Sequence, residues 1–576
     1  MKLIFAQAIN LLLVMLLFVV SHLSAETADL VLRRGKIYTV DSARSRAESI
    51  AVKSGRIVYV GSDAGISGWI GEKTKTIDLS GRFVMPGFID SHIHAVEGGI
   101  GMTRCDLLSS ETREEALKTI KAYVESHPYD PWILGNGWAL PLFPDANPRK
   151  EWLDAIVKDR PVFLMAADGH SAWVNSKALE IAGVNASTPD PENGRIERNK
   201  NGEPCGTLRE KAAEMVYRHA PQPKVEETVA GLEEALKQLN RYGITAFQDA
   251  SVSEKGDIPD ARGSSDAYVL AEKRGVLTAR VTAAIYASPS GTLHEVLKQI
   301  TRIKKIRDES NSRYFRATAV KIYADGVIEA YTAALLQPYM NQDSGDLVWQ
   351  PEKLNPFVEL LDKEGFQIHI HAIGDRAIRV ALTALEAARE INGIRDSRHL
   401  MAHLELIDRK DIPRFAQLSV IPVFQPLWAY EDSYITDLTV PKLGKERTAR
   451  LYPIRSVADT RAALAMGSDW PVSSANPLDG IEVAVTRRGP DEKGEGPVFI
   501  PEERIDLATA LAAYTIGSAH ANFLDQETGS LETGKAADLI VLSNDLFEVP
   551  PDQINETKVL LTLLEGKEVY RDPDWK

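Results

Sequence analysis

Short apolar stretches rich in β-branched residues alternate along the chain with longer segments whose apolar positions recur every three or four residues. The apolar stretches are GFIDSHIH (87–94), GITAFQD (243–249), ARVTAAIYA (279–287), RATAVKIYADG (316–326), FQIHIHAIGD (366–375), HLMAHLELI (399–407), SVIPVFQPL (419–427) and ALAMGSDWP (463–471). Between most of them the spacing is helical, as in RAIRVALTALEAAREI. Strand–helix alternation predicts an α/β fold with a parallel sheet, and eight repeats predict a closed (β/α)₈ barrel of the TIM type, spanning 86–521. The interval from 95 to 242 is too long for one loop. It predicts a lobe inserted after the first strand, from about 101 to 225.

Outside the barrel the pattern changes to short strands broken at glycines: DLVLRRGKIYTV, SIAVKSGRIVYVG and TKTIDLSGRFVMPG near the start, and TGSLETGKAADLIVLSNDLF and VLLTLLEGKEVYRD near the end. Neither end is long enough to close a core alone. The two ends, 26–85 and 522–576, are therefore expected to form one small β-sandwich beside the barrel. Residues 1–25 follow another order: Lys2, an unbroken apolar run from Leu11 to Val20, then Ser24 and Ala25. This is the order of a secretory signal and predicts an exported, periplasmic or secreted protein. The ten-residue run is short of the ~20 residues that span a bilayer, so no stable membrane insertion is expected once the signal is cleaved; an uncleaved anchor is the alternative.

Composition narrows the function. The 576 residues are 44% hydrophobic and 26% charged, which suits a large globular core. A net charge of −14 repels phosphate backbones and argues against nucleic-acid partners. Cys105 and Cys205 are the only cysteines; they form either one disulfide or two buried thiols, and no CxxC pair offers a metal site.

The chemistry-bearing residues fall at the C-terminal ends of the predicted strands, where barrel enzymes build their sites. In the first, His92 and His94 are two apart and face the same side. The fifth carries His369 and His371; His371 lies about 7 Å nearer the catalytic end and is the expected ligand, with His369 lining the barrel. The sixth places His403 at that end and leaves His399 at its start, in a structural role. The eighth ends at Asp469. Lys321 sits mid-strand among apolar residues, where an unpaired ammonium is costly; a salt bridge to Asp325 or Asp469 and a carbamylated lysine are both open.

Taken together, HxH, Lys, His, His and Asp on strands one, four, five, six and eight resemble the amidohydrolase superfamily. GRFVMPGFIDSHIH, GNGW (135–138), DGHSAWVNSKAL (168–179), VKIYADG with its following TAALLQPY, HIHAIGDRAI and GSDWPVSSANPL are similar to the amidohydrolase-three branch, which includes N-substituted formamide deformylases. The resemblance runs from Ala28 to Tyr570. It implies a metal-dependent hydrolase that cleaves amide-type, non-peptide C–N bonds of a small molecule with a metal-bound hydroxide. By the same resemblance His92, His94 and Asp469 hold one divalent ion, His371 and His403 a second, and carbamylated Lys321 bridges them. Zinc is the expected ion, one or two per chain. Asp469 would take the nucleophile's proton and return it to the leaving nitrogen. His170 is expected to contact the substrate carbonyl, with a structural hydrogen bond as its alternative. Asp168 belongs to the same stretch and is expected at the substrate. Trp138 and Phe143 either line an apolar substrate pocket or pack a core. A deaminase, an ester or lactone hydrolase, and a non-catalytic exported binding protein are the competing functions; Lys321 argues against the first, and the complete ligand set against the last. A homodimer is left open.

Overall fold

Eight parallel strands follow one another around a barrel in chain order: β1 (Phe88–Ile93), β2 (Ile244–Ser253), β3 (Arg280–Tyr286), β4 (Phe315–Tyr323), β5 (Gln367–Ala372), β6 (Leu400–His403), β7 (Ile421–Phe424) and β8 (Ala465–Met466). This computed structural model describes residues 27–253, 263–490 and 492–575; the predicted signal, 1–25, lies outside the described residues. Every residue of β1, β2, β3 and β5 is buried, as expected of strands with helices on one side and a packed interior on the other. The strands are separated by amphipathic helices. Asp375–Asn392 turns Ala377, Ile378, Ala381, Leu382 and Leu385 inward, the spacing of one helical face. Leu293–Glu309 opens with a capping box between Thr292 and Glu295.

β8 is only two residues long, yet the circle closes. The chain leaving it runs beside β1, where the Asp469 N–H donates to His92 O (2.7 Å) and the His94 N–H donates to Trp470 O (2.8 Å). The Asp90 carboxylate ties the same seam by accepting the backbone N–H groups of His92 and Ser468. Closure therefore places Asp469 against the HxH of β1.

Between β1 and β2 the chain builds a separate six-stranded sheet, running from Cys105–Asp106 to Pro204–Glu210. Its core includes Trp138, Phe143 and Trp173. Both cysteines are free thiols, and burial pushes that of Cys105 up to about 12. The chain ends supply two further sheets. Four strands from residues 30–78 form one. In the other, Phe83–Pro86 pairs antiparallel with Leu539–Leu542, so the two ends share a sheet. Leu32, Ile37, Val84, Leu539 and Leu561 share its core. This unit is pinned beneath the barrel by Arg280 at the start of β3, whose buried guanidinium meets Asp538 (2.8 Å), Glu565 (2.9 Å) and Glu527 (3.1 Å). Among the described residues no helix is long and apolar enough to cross a membrane.

Candidate metal centre

Strand register sets the levels of the site. Lys321 on β4 pairs with His369 on β5, Tyr323 with His371, and Ala372 with His403 on β6. Side chains from β1, β4, β5, β6 and the turn after β8 therefore meet inside one end of the barrel. His92 Nε2 and His94 Nε2 lie 3.3 and 3.2 Å from Asp469 Oδ1, and His403 Nδ1 lies 4.0 Å from Asp469 Oδ2. Lys321 Nζ is 3.3 Å from His92 Nε2. The rings of His371 and His403 are 4.4 Å apart, and those of His92 and His403 4.7 Å. All six sequence-predicted ligand residues are brought together.

This set fits a divalent cation. One donor atom each from His92, His403 and Asp469 lie within 4.8 Å of one another, and all three residues are buried. Burial above all holds the imidazoles of His92, His371 and His403 well below their ordinary range, with neighbouring cationic groups, Lys321 among them, adding to it. Neutral imidazoles offer lone pairs, and a buried carboxylate requires a compensating charge. Nitrogen and oxygen donors of this kind suit zinc and its neighbours in the first transition row.

A hydrogen-bonded chain selects which nitrogen His92 offers. Gln367 spends its two amide donors on the Arg398 and Ala521 carbonyls, so its oxygen accepts from Gln248 Nε2 (3.2 Å). Gln248 thereby turns its oxygen to His369 Nδ1. Neutral His369, protonated at Nδ1, accepts at Nε2 from His92 Nδ1–H (2.8 Å), which leaves the His92 Nε2 lone pair facing Asp469. His369 is thus an orienting partner of His92 and more than a lining residue. Gln425 acts similarly: its Oε1 accepts from His403 Nδ1 (3.0 Å), while Trp428 stacks parallel on the His403 ring. Asp325 receives the N–H groups of Ile373, Gly374 and Ala334, bracing the turn after β5, while burial pushes its carboxyl up to about 7 against those donors. His403 and Asp469 both adopt positive φ, 77° and 57°, a conformation that L residues hold only where the surroundings enforce it.

His170 comes from the inserted lobe. Its ring centroid is 5.4 Å from that of His371, and its Nδ1 lies 3.0 and 3.2 Å from the two Glu210 carboxylate oxygens. Both residues line a cavity of about 830 Å³ between lobe and barrel, walled also by Phe163, Tyr286, Tyr323 and Tyr331. Two expectations, those for Trp138 and Asp168, are corrected, while His399 takes the structural role expected of it. Trp138 is fully buried, donates from Nε1 to Leu164 O and packs on Phe143 and Trp173; it belongs to the lobe core and does not line the cavity. Asp168 is not among the cavity-lining residues; it accepts the His170 backbone N–H and shapes that turn. Asn175 caps the helix Ser176–Ala182 and braces Val162. His399 pairs with Asp362 (3.1 Å) at the far end of β6, in a structural role. Gln248, Gln425 and Glu210 carried no sequence signal, because single polar residues in or beside a strand gain meaning only from their partners.

Comparison with known proteins agrees with this picture. The model of the amidohydrolase family matches residues 75–570. Protein LONG AFTER FAR-RED 3 of Arabidopsis thaliana is 35% identical over 94% of this chain and 92% of its own length. The N-substituted formamide deformylase of Arthrobacter pascens is 28% identical over 93% of this chain and 97% of its own. Among solved structures, an uncharacterized metal-dependent hydrolase from Pyrococcus horikoshii OT3 superposes with a TM-score of 0.70 at 26% identity, covering 91% of this chain and 99% of that one.

Proposed function

We propose, from the premise that this chain belongs to the amidohydrolase family, that it cleaves a non-peptide amide bond in a small molecule. As a member it is a metal-dependent hydrolase acting on carbon–nitrogen bonds. One observation carries the finer reading: His92, His403 and Asp469, distant in sequence, close on a single point.

In this reading His92, His94, His371, His403 and Asp469 would hold one or two divalent ions, with Lys321, as a carbamate, as a further ligand. A bound ion activates water and polarises a carbonyl. The chain's own residues do the rest. Asp469 takes the proton released at the attacking oxygen and delivers it to the leaving nitrogen, which departs as an amine. His170, held through Nδ1 by Glu210, faces the substrate from the lobe side. The tyrosines and Phe163 surround the substituent and exclude water. The formamide-cleaving relative makes N-formyl amines the first candidates. The apolar run Leu11–Val20 followed by Ser24 and Ala25 supports export of the mature chain.

The test is hydrolysis of a panel of N-formyl and N-acetyl alkyl- and benzylamines by wild type and Asp469→Asn. Turnover in wild type that falls by at least about 1,000-fold in the variant supports the reading. Equal rates in the two proteins contradict it.

A further inference from the structure

We infer that Glu210 is a positioning residue of this site, acting through His170 and anchored on the barrel by Thr332. The inference rests on the amide-hydrolase reading for its catalytic consequence but on geometry for the dyad itself.

Glu210 ends the lobe strand Pro204–Glu210 and takes φ 49° and ψ −127°. This is a strained conformation for a residue with a side chain, and such strain persists only where neighbours enforce it. Here it turns the carboxylate onto the His170 ring. The same carboxylate receives a second bond from the opposite side of the cavity: Thr332 Oγ1 donates to Glu210 Oε1 (2.9 Å). Thr332 belongs to the loop after β4, and its Oγ1 in turn accepts the Val327 N–H (2.9 Å). Glu210 therefore joins the inserted lobe to the barrel rim within the substrate cavity.

The consequence for His170 follows from donor and acceptor chemistry. An ionised carboxylate only accepts, so the nitrogen facing it carries the proton. Nδ1 is committed to Glu210, and the ring centroid stands 5.4 Å from that of His371 beside the cavity. Without Glu210 the ring loses the contact that sets both its rotation and its tautomer. The packing around the dyad is tight on the barrel side. A Cβ on Gly326 would lie 2.2 Å from Thr332 Oγ1 and 2.5 Å from Glu210 Oε1, so only glycine admits this approach. The Gly326 carbonyl lies 3.3 Å from His371 Nε2, which sets dyad and ligand cluster one residue apart.

The experiment is a double-mutant cycle with His170→Ala, Glu210→Ala and the pair, with Glu210→Gln and Thr332→Val as graded variants, each assayed on N-formylbenzylamine at matched ion content. Glu210→Ala is expected to lower kcat about 10- to 100-fold with KM changed less than about threefold, and Glu210→Gln to recover part of that loss. On the His170→Ala background the Glu210→Ala change is expected to cost less than about twofold, because its partner is already gone. Additive losses in the cycle would overturn the positioning role, as would a Glu210→Ala enzyme with wild-type kcat. ¹⁵N spectra of histidine-labelled protein give a readout independent of turnover. The resonance pair missing in His170→Ala should report a protonated Nδ1 in wild type and should shift in Glu210→Ala; an unmoved pair would overturn the dyad. Should wild type leave the formamide intact while the spectra show the dyad, the substrate reading fails and the dyad stands.

Discussion

His92 is buried among groups that compete for its two nitrogens, and the Gln367–Gln248–His369 chain decides the contest in favour of Nε2 as ligand. Removing a partner that orients a metal-binding histidine typically costs 10–100-fold in affinity. Gln248→Leu keeps the volume, lies away from the ligands and frees His369 to rotate. Titration of the apo-protein with zinc against a competing chelator should therefore show weakening of about 10- to 100-fold; unchanged affinity would remove the relay from the account. Much at this scale was legible in the sequence. The two-residue period of a strand put His92 and His94 on one face, and likewise His369 and His371. Parity stops at the face. It could not say that His369 would bond to His92 across the barrel, that Glu210 would hold His170, or that Trp138 would point into the lobe core, since each depends on a partner distant in sequence.

At the scale of elements, the site depends on a seam. β8 has two residues, and its approach to β1 is so close that a Cβ on Gly467 would stand 2.6 Å from the His92 backbone nitrogen and 2.9 Å from Asp90 Oδ1. Gly467→Ala must push the two strands apart and carry Asp469 away from His92. Overpacking of this kind costs about 1–3 kcal/mol, and the variant should show both a lower Tm and a reduced ion content per chain. A normal ion content in a destabilised variant would show that the seam supports the fold without setting the ligand spacing. The eight strands were readable because each lies in a short, largely apolar run, and most of these runs are rich in β-branched residues. The lobe was readable only as a gap of excessive length: its short strands, with their mixed directions, lack the regular spacing that marks the barrel.

The whole molecule is held together at the opposite end from the chemistry. Arg280 is buried at the barrel floor against Asp538, Glu565 and Glu527 of the C-terminal segment, and Glu565 also receives Arg313 and Tyr314. Burial alone would raise the Glu565 carboxyl, but the hydrogen bonds from Arg313, Tyr314 and Arg280 outweigh it and hold the group down to about 2. A carboxyl depressed on folding stabilises above its unfolded value, near 4.5, and loses that contribution as pH falls toward 2. Arg280→Met leaves two buried carboxylates without their central cation and should cost about 3–5 kcal/mol at neutral pH. The deficit relative to wild type should shrink between pH 4.5 and 2 as Glu565 protonates. Thermal unfolding of both proteins across that range checks the sign; a deficit that grows with acid would contradict it. That the two chain ends share one sheet was inferable from their common strand texture and insufficient length. The ion cluster joining them to the barrel was not, because charged residues in loops look alike until they are buried together.

The central claim is that His92, His94, Lys321, His371, His403 and Asp469 form a metal centre. Elemental analysis of wild type and Asp469→Asn, purified side by side without chelator and then reconstituted with zinc, tests it most directly. The account predicts one or two ions per wild-type chain and a loss of at least one ion in the variant. Wild-type protein that stays without metal after reconstitution, or a variant that retains the full complement, would contradict it.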